Sequence, residues 1–111
     1  MIYHKEIGFP RCYRRPVGKY ATALSRHART REVEKGFRVP AIVDLSKFDV
    51  IEIEMSNGIV TKMVIRGEYS DWYDIVLVVI PRSHGLFVKT AWLNEWDDNH
   101  STLDASKYAR P

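Results

Sequence analysis

Four side chains in this sequence have the types needed to cut a phosphodiester without a metal ion: His27, Lys62, Arg66 and Thr90. RNA carries its own nucleophile, the 2′-hydroxyl. A catalyst must take that proton, stabilise the charge that gathers on the phosphorane oxygens and protonate the leaving oxygen. Imidazole titrates near neutrality and suits the proton transfers. Lysine and arginine suit the developing charge. Each acid or base group contributes on the order of 10²–10⁴ in rate, and no cofactor is required. The bland alternatives stand beside these roles. His27 would be a boundary residue of a helix, Lys62 an edge lysine that blocks aggregation, Arg66 half of a cross-strand ion pair, and Thr90 a good strand former.

The charge distribution points to a polyanion. Residues 1–39 hold ten Lys/Arg and three Asp/Glu, a net +7, whereas residues 40–111 hold seven and eleven, a net −4. A basic lobe is the usual footprint of nucleic acid, unless it neutralises the acidic lobe of its own or a second chain. Residues 1–18 read as an irregular basic arm, broken by Gly8, Pro10, Pro16 and Gly18. Tyr3, Phe9 and Tyr13 alternate there with Lys5, Arg11, Arg14 and Arg15. Such interleaving suits stacking on bases and contact with phosphates. Arg31, one turn after His27, and Trp92, beside Thr90, complete the candidate nucleic-acid contacts.

The elements that must hold these residues follow from periodicity. Residues 19–36 read as a helix without interior Pro or Gly, with Tyr20, Leu24, Ala28 and Val33 as its apolar stripe and Gly36 as its stop. Pro40–Leu45 reads as a short helical turn. From residue 48 to 93 four strands follow, and residues 94–111 form a polar tail with a helical turn after Ser101 or Thr102. The fold class expected is therefore α+β: one domain, with an N-terminal helix packed on a four-stranded antiparallel meander. No repeats are evident. Asn57-Gly58 marks a tight hairpin. A two-residue loop there places Met55 opposite Val60, Ile53 opposite Lys62, Ile51 opposite Val64 and Asp49 opposite Arg66. Lys62 would then project from an otherwise apolar face, where an unpaired ammonium is costly and either snorkels or serves a site.

Ser25-Arg26-His27-Ala28-Arg29-Thr30-Arg31, the strands carrying Lys62 and Arg66, and Val88-Lys89-Thr90-Ala91-Trp92 together resemble the barnase–RelE-like superfamily of ribonuclease toxins over residues 20–93. The resemblance implies helices before a four-stranded sheet. It also implies His27 as general acid or base, Lys62 and Arg66 on the scissile phosphate, and Thr90 orienting it. The tail from Trp92 to Asp104 resembles small phage and actinobacterial proteins. The carboxylates of the second lobe depart from what an RNA groove needs.

Several classes are disfavoured. There is no zinc spacing, glycine-rich phosphate loop or serine elbow. Asp97, Asp98, His100 and Asp104 could hold a divalent ion, but helix-capping carboxylates explain them more simply, so no metal is expected. No apolar run reaches the ~20 residues that span a bilayer. Cys12 is the sole cysteine, which suits a reducing, cytoplasmic setting; its cationic neighbours would favour a thiolate, but no base lies near it in sequence. The expected partner is RNA, with an antitoxin or host protein, or a second copy of the chain, as further partners. A non-catalytic nucleic-acid-binding module and an effector that binds a host protein are the competing functions.

Overall fold

The computed structural model describes residues 1–98 and 103–111. Its centre is a seven-stranded mixed sheet, with one α-helix among the described residues, which corrects the expected helix on a four-stranded meander; of the described residues 49% are strand and 15% helix, 3-10 turns included. The strands are β1 (Ile2–His4), β2 (Lys19–Leu24), β3 (Ile42–Asp44), β4 (Phe48–Ser56), β5 (Ile59–Glu68), β6 (Tyr73–Arg82) and β7 (Gly85–Glu95). Their order is β1-β4-β5-β6-β7-β2-β3. Pairs are antiparallel except β2 with β7.

The expected long helix is really a strand followed by a shorter helix, α1 (Arg26–Lys35). The stripe Tyr20, Leu24, Ala28 recurs every four residues, and four is both a multiple of the strand period and close to one helical turn. Across β2 burial alternates, with Tyr20, Thr22 and Leu24 turned inward. Ser25 breaks the pattern. Its hydroxyl caps α1 by accepting the Ala28 N–H at 3.0 Å and itself donates to the Lys89 carbonyl at 2.7 Å. Gly36 closes the helix through its N–H to the Glu32 carbonyl. Parallel β2 can lie close to β7 because residue 85 is glycine. Its φ is +150°, and a Cβ there would clash with the Ala21 carbonyl oxygen.

Two other segments differ from expectation. The arm contains β1, which adds to β4 with Tyr3 opposite Ile53. Pro40–Leu45 is not helical: Ile42–Asp44 is a strand, and a 3-10 turn occupies Leu45–Lys47. That turn shapes the sheet. In a flat sheet β3 and β4 would be roughly 24 Å apart at about 4.8 Å per strand. The chain from Asp44 to Phe48 reaches at most about 14 Å, so the sheet curls to bring β3 towards β4.

The curl encloses one core. Ile53, Met63, Ile65, Ile75, Leu77, Val79 and Val88 are fully buried on the inner face, joined by Val43, Leu45, Phe37 and Ala28. Each such side chain contributes about 1.5–3 kcal/mol. Phe9 and Tyr13 of the arm, their rings 4.9 Å apart, pack against this cluster. Because Ala28 belongs to the same cluster, α1 sits on the core side and the other face of the sheet is free of it.

The β4–β5 hairpin has the Asn57-Gly58 turn, with both residues at positive φ. Its ends pair as expected, Met55 with Val60 and Asp49 with Arg66, but the middle does not. An extra residue on β5, Thr61, shifts the register by one, and an extra residue on β4, Ile51, restores it. Lys62 therefore faces Glu54 rather than Ile53, and Val64 faces Glu52 rather than Ile51. A one-residue slip moves every side chain to the other face. Lys62 thus stands on the charged outer face and not on an apolar one.

Candidate functional site

The outer face is built from rows of side chains that run across the strands. One row is His4, Glu52, Val64, Val78, Thr90; the next is Asp49, Arg66, Val76, Trp92; a third is Glu68, Asp74, Asn94. Lys62 and Glu54 begin a further row. Three of the four candidate catalytic residues, Lys62, Arg66 and Thr90, consequently share one face with Trp92. They are spread over it. Lys62 and Thr90 are two strands and one row apart, roughly 12 Å between Cα atoms.

His27 is exposed in the first turn of α1, on the core-side layer. The helix start is tied to the strand that carries Thr90, since Ser25 bonds the carbonyl of Lys89. Lys89 is the extra residue where β7 bulges against β6. The start of the helix bearing His27 is thus joined to β7, while Lys62 lies two strands away on β5, 3.7 Å from the Glu54 carboxylate.

Arg66 is committed to the fold. Its Nε donates to Asp74 at 2.7 Å, one terminal nitrogen to the Asp98 carbonyl at 2.8 Å, and the other to the carbonyls of Glu95 and Trp96 at 3.1 and 3.4 Å. This guanidinium clamps the end of β7, leaving it little capacity for a phosphate. Among the arm cations, Arg14 donates to the carbonyls of Arg11 and Tyr13, and Arg15 to that of Phe48. Arg11 is exposed. Arg31 is half-buried, with its Nε enclosed and unpartnered. Exposed Cys12 borders a shallow hollow beside Met1, Tyr3 and Met55, with no His, Asp, Glu or Lys in its lining.

The principal cleft, about 1010 Å³, opens on the outer face. Val64, Arg66, Val76 and Trp92 form its floor. His4 to Glu6, Lys47, Trp96 and the tail residues Leu103, Asp104, Lys107 and Tyr108 form its walls. The tail is pinned to β1 and β4. The Ala109 N–H bonds the Ile2 carbonyl, the Tyr108 hydroxyl donates to Glu52 at 2.9 Å, and the Tyr108 ring tilts against His4 at 4.9 Å. Desolvation and the Glu52 carboxylate push the Tyr108 hydroxyl up to about 12. His4 accepts the Glu6 N–H on Nδ1, so its neutral form carries the proton on Nε2 and presents a donor.

His4, Lys47, Trp96, Lys107 and Tyr108 were not among the residues singled out from sequence. A usable signal was there. Asp44-Leu45-Ser46-Lys47-Phe48 and Asp104-Ala105-Ser106-Lys107-Tyr108 agree at Asp, Ser, Lys and the aromatic, which corrects the reading that the chain has no repeat. The suggested metal ligands do not assemble among the described residues, where no group of three His, Cys, Asp or Glu converges. His100, Ser101 and Thr102 lie outside the described residues. No helix among the described residues is long and apolar enough to cross a membrane.

Comparisons with protein-family models, with curated proteins and with solved structures found no match.

Proposed function

We propose that the protein is a metal-independent RNA endonuclease of the toxin type, acting on a strand laid across the outer face of the sheet. One observation supports this reading: Lys62 and Thr90 share the face that the core leaves free, and the cap of the helix bearing His27 is bonded to Lys89, the neighbour of Thr90. In the reaction the 2′-oxygen bonds to phosphorus and the bond to the 5′-oxygen breaks. The products are a 2′,3′-cyclic phosphate and a 5′-hydroxyl. His27 moves the proton, Thr90 orients the phosphate and Lys62 balances its charge. Arg66 holds the sheet's end in shape rather than touching the substrate.

The test is incubation of the purified protein with total RNA in EDTA, followed by end analysis. Cleavage leaving cyclic phosphate ends, lowered at least ~10²-fold in His27→Ala, is the expected result. Intact RNA, or cleavage indifferent to His27→Ala and Thr90→Val, overturns it. A second reading, an RNA-binding module without catalysis, is favoured by the commitment of Arg66 to the fold and the placing of His27 outside the principal cleft. RNA that is bound but never cut selects that reading.

A further inference from the structure

The two Asp-x-Ser-Lys-aromatic segments are alike in three dimensions as well as in sequence. In each, the Asp side-chain oxygen accepts the Ser N–H at 3.1 Å and the Ser hydroxyl at 2.6 Å. The Asp backbone angles are −91°/102° and −89°/93°, and the aromatic residue closes each 3-10 turn at −114°/144° and −114°/143°. Those serine hydrogen bonds hold both carboxyls below their usual range. Each turn then delivers its chain to the sheet: Phe48 opens β4, and Ala109 joins β1.

The turns come from sites 60 residues apart in the chain, yet both lysines line the same cleft. Among the described residues neither Lys47 nor Lys107 makes an ion pair, whereas Lys5, Lys62 and Arg66 do. Each turn's aspartate is hydrogen-bonded to its serine and feels its own lysine only through space, without an ion-pair contact. Between them the floor offers Trp92, and the wall offers Trp96, 57% exposed. Trp96 is joined through its N–H to the carbonyl of Trp72, which is 72% exposed. Indole surface left in water beside two unpaired cations is the combination that binds single-stranded nucleic acid, with bases on the rings and phosphates on the ammonium groups. The volume, about 1010 Å³, lies at the top of the usual range of roughly 300–1000 Å³ for a small-molecule site.

We propose that the twin turns are a matched pair of phosphate contacts, Lys47 and Lys107 gripping the backbone of a short single-stranded RNA whose base stacks on Trp96. The proposal rests on the RNA reading above and deepens it by naming the part of the surface that holds the strand. An acidic peptide could satisfy the same lysines but has no use for the tryptophans.

The experiment is fluorescence anisotropy with a labelled 2′-O-methyl oligoribonucleotide, which cannot be cleaved through the 2′-hydroxyl, titrated at several salt concentrations. Lys47→Gln and Lys107→Gln should each lower the slope of log affinity against log salt by about 0.7, and the double variant by about 1.4. Lys35→Gln, on the far end of α1, should leave the slope unchanged. Trp96→Ala should weaken binding roughly 5- to 150-fold. An unchanged slope in the double variant overturns the clamp, as does competition by polyglutamate that equals competition by RNA. Thermal melting of each variant guards against loss of fold. The two proposals fail separately. Cleavage of natural RNA that survives the double variant with its slope intact removes the clamp and leaves the nuclease. Lysine-dependent binding without cleavage of natural RNA removes the nuclease and leaves the clamp.

Discussion

The two faces of this sheet are made by the same strands and obey different rules. On the inner face, the alternate residues of β4 to β7 are apolar and most are buried. On the outer face Val64, Val76 and Val78 share the surface with Glu52, Glu54, Lys62, Arg66, Asp74, Thr90, Trp92 and Asn94, and Lys62 pairs with Glu54 and Arg66 with Asp74. The core is on one side, and the proposed RNA contacts are on the other, so substitutions should sort by face. The largest effect belongs to the inner face. Ile53→Ala should cost about 2–5 kcal/mol in chemical denaturation, because Ile53 has no exposed surface and no neighbour free to fill the gap. A loss below 1 kcal/mol would mean that the curled core is not closed around it.

Arg66 is where the division of labour blurs. It stands on the outer face but serves the fold, its side chain only 16% exposed. Hydrogen bonds to a charged group are worth about 1.5–3 kcal/mol, so Arg66→Ala should cost about 3 kcal/mol. Arg66→Lys should recover less than half, since one ammonium cannot span Asp74 and the carbonyls of residues 95, 96 and 98. Full rescue by lysine would reassign Arg66 to simple charge pairing. The effect on RNA cleavage, measured at a temperature where the variant is folded, should be small by comparison.

The tail's attachment is weaker and has a pH signature. The Tyr108 hydroxyl lies at about 12 in the folded chain against 10.0 for a free tyrosine, so the fold prefers the neutral phenol. A group raised in the folded state stabilises fully below its unfolded value and loses that contribution as pH rises through its folded value. The wild-type advantage over Tyr108→Phe should therefore be constant up to pH 10 and fade between pH 10 and 12. Denaturation midpoints of the two proteins at pH 9 and pH 12 measure it. A gap that persists at pH 12 would show that the Glu52 bond is not its source.

How much of this was legible in the sequence depends on what kind of signal each part uses. The four later strands and the Asn57-Gly58 turn are local, and period-two alternation with turn chemistry reveals them. β2 was hidden by the four-residue spacing of Tyr20, Leu24 and Ala28, which fits strand and helix alike. Only the capping hydroxyl of Ser25 marks the change. The parallel pairing of β2 with β7 depends on contacts across more than 60 residues, and Gly85 hints at it without specifying it. Lys62 was assigned to the wrong face because two compensating bulges, at Thr61 and Ile51, leave both ends of the hairpin in the simple register and shift only the middle. The cleft was illegible for a different reason. Its walls come from β1, the first 3-10 turn and the tail, and only their docking on the outer face brings them together.

The smallest effect on stability should come from Lys62. Lys62 pairs with Glu54 at 3.7 Å, with both side chains partly in water, and such pairs are worth about 0.2–1 kcal/mol. Lys62→Gln should therefore shift stability by less than about 1 kcal/mol, and a double-mutant cycle with Glu54→Gln should return a coupling of the same small size. Its effect on cleavage should be much larger, on the order of 10² in rate, if the ammonium balances charge on the phosphorane. That contrast separates a residue kept for chemistry from one kept for solubility. A variant that is as stable and as active as the parent would make Lys62 an ordinary solvated lysine and confine RNA contact to the cleft between the twin turns.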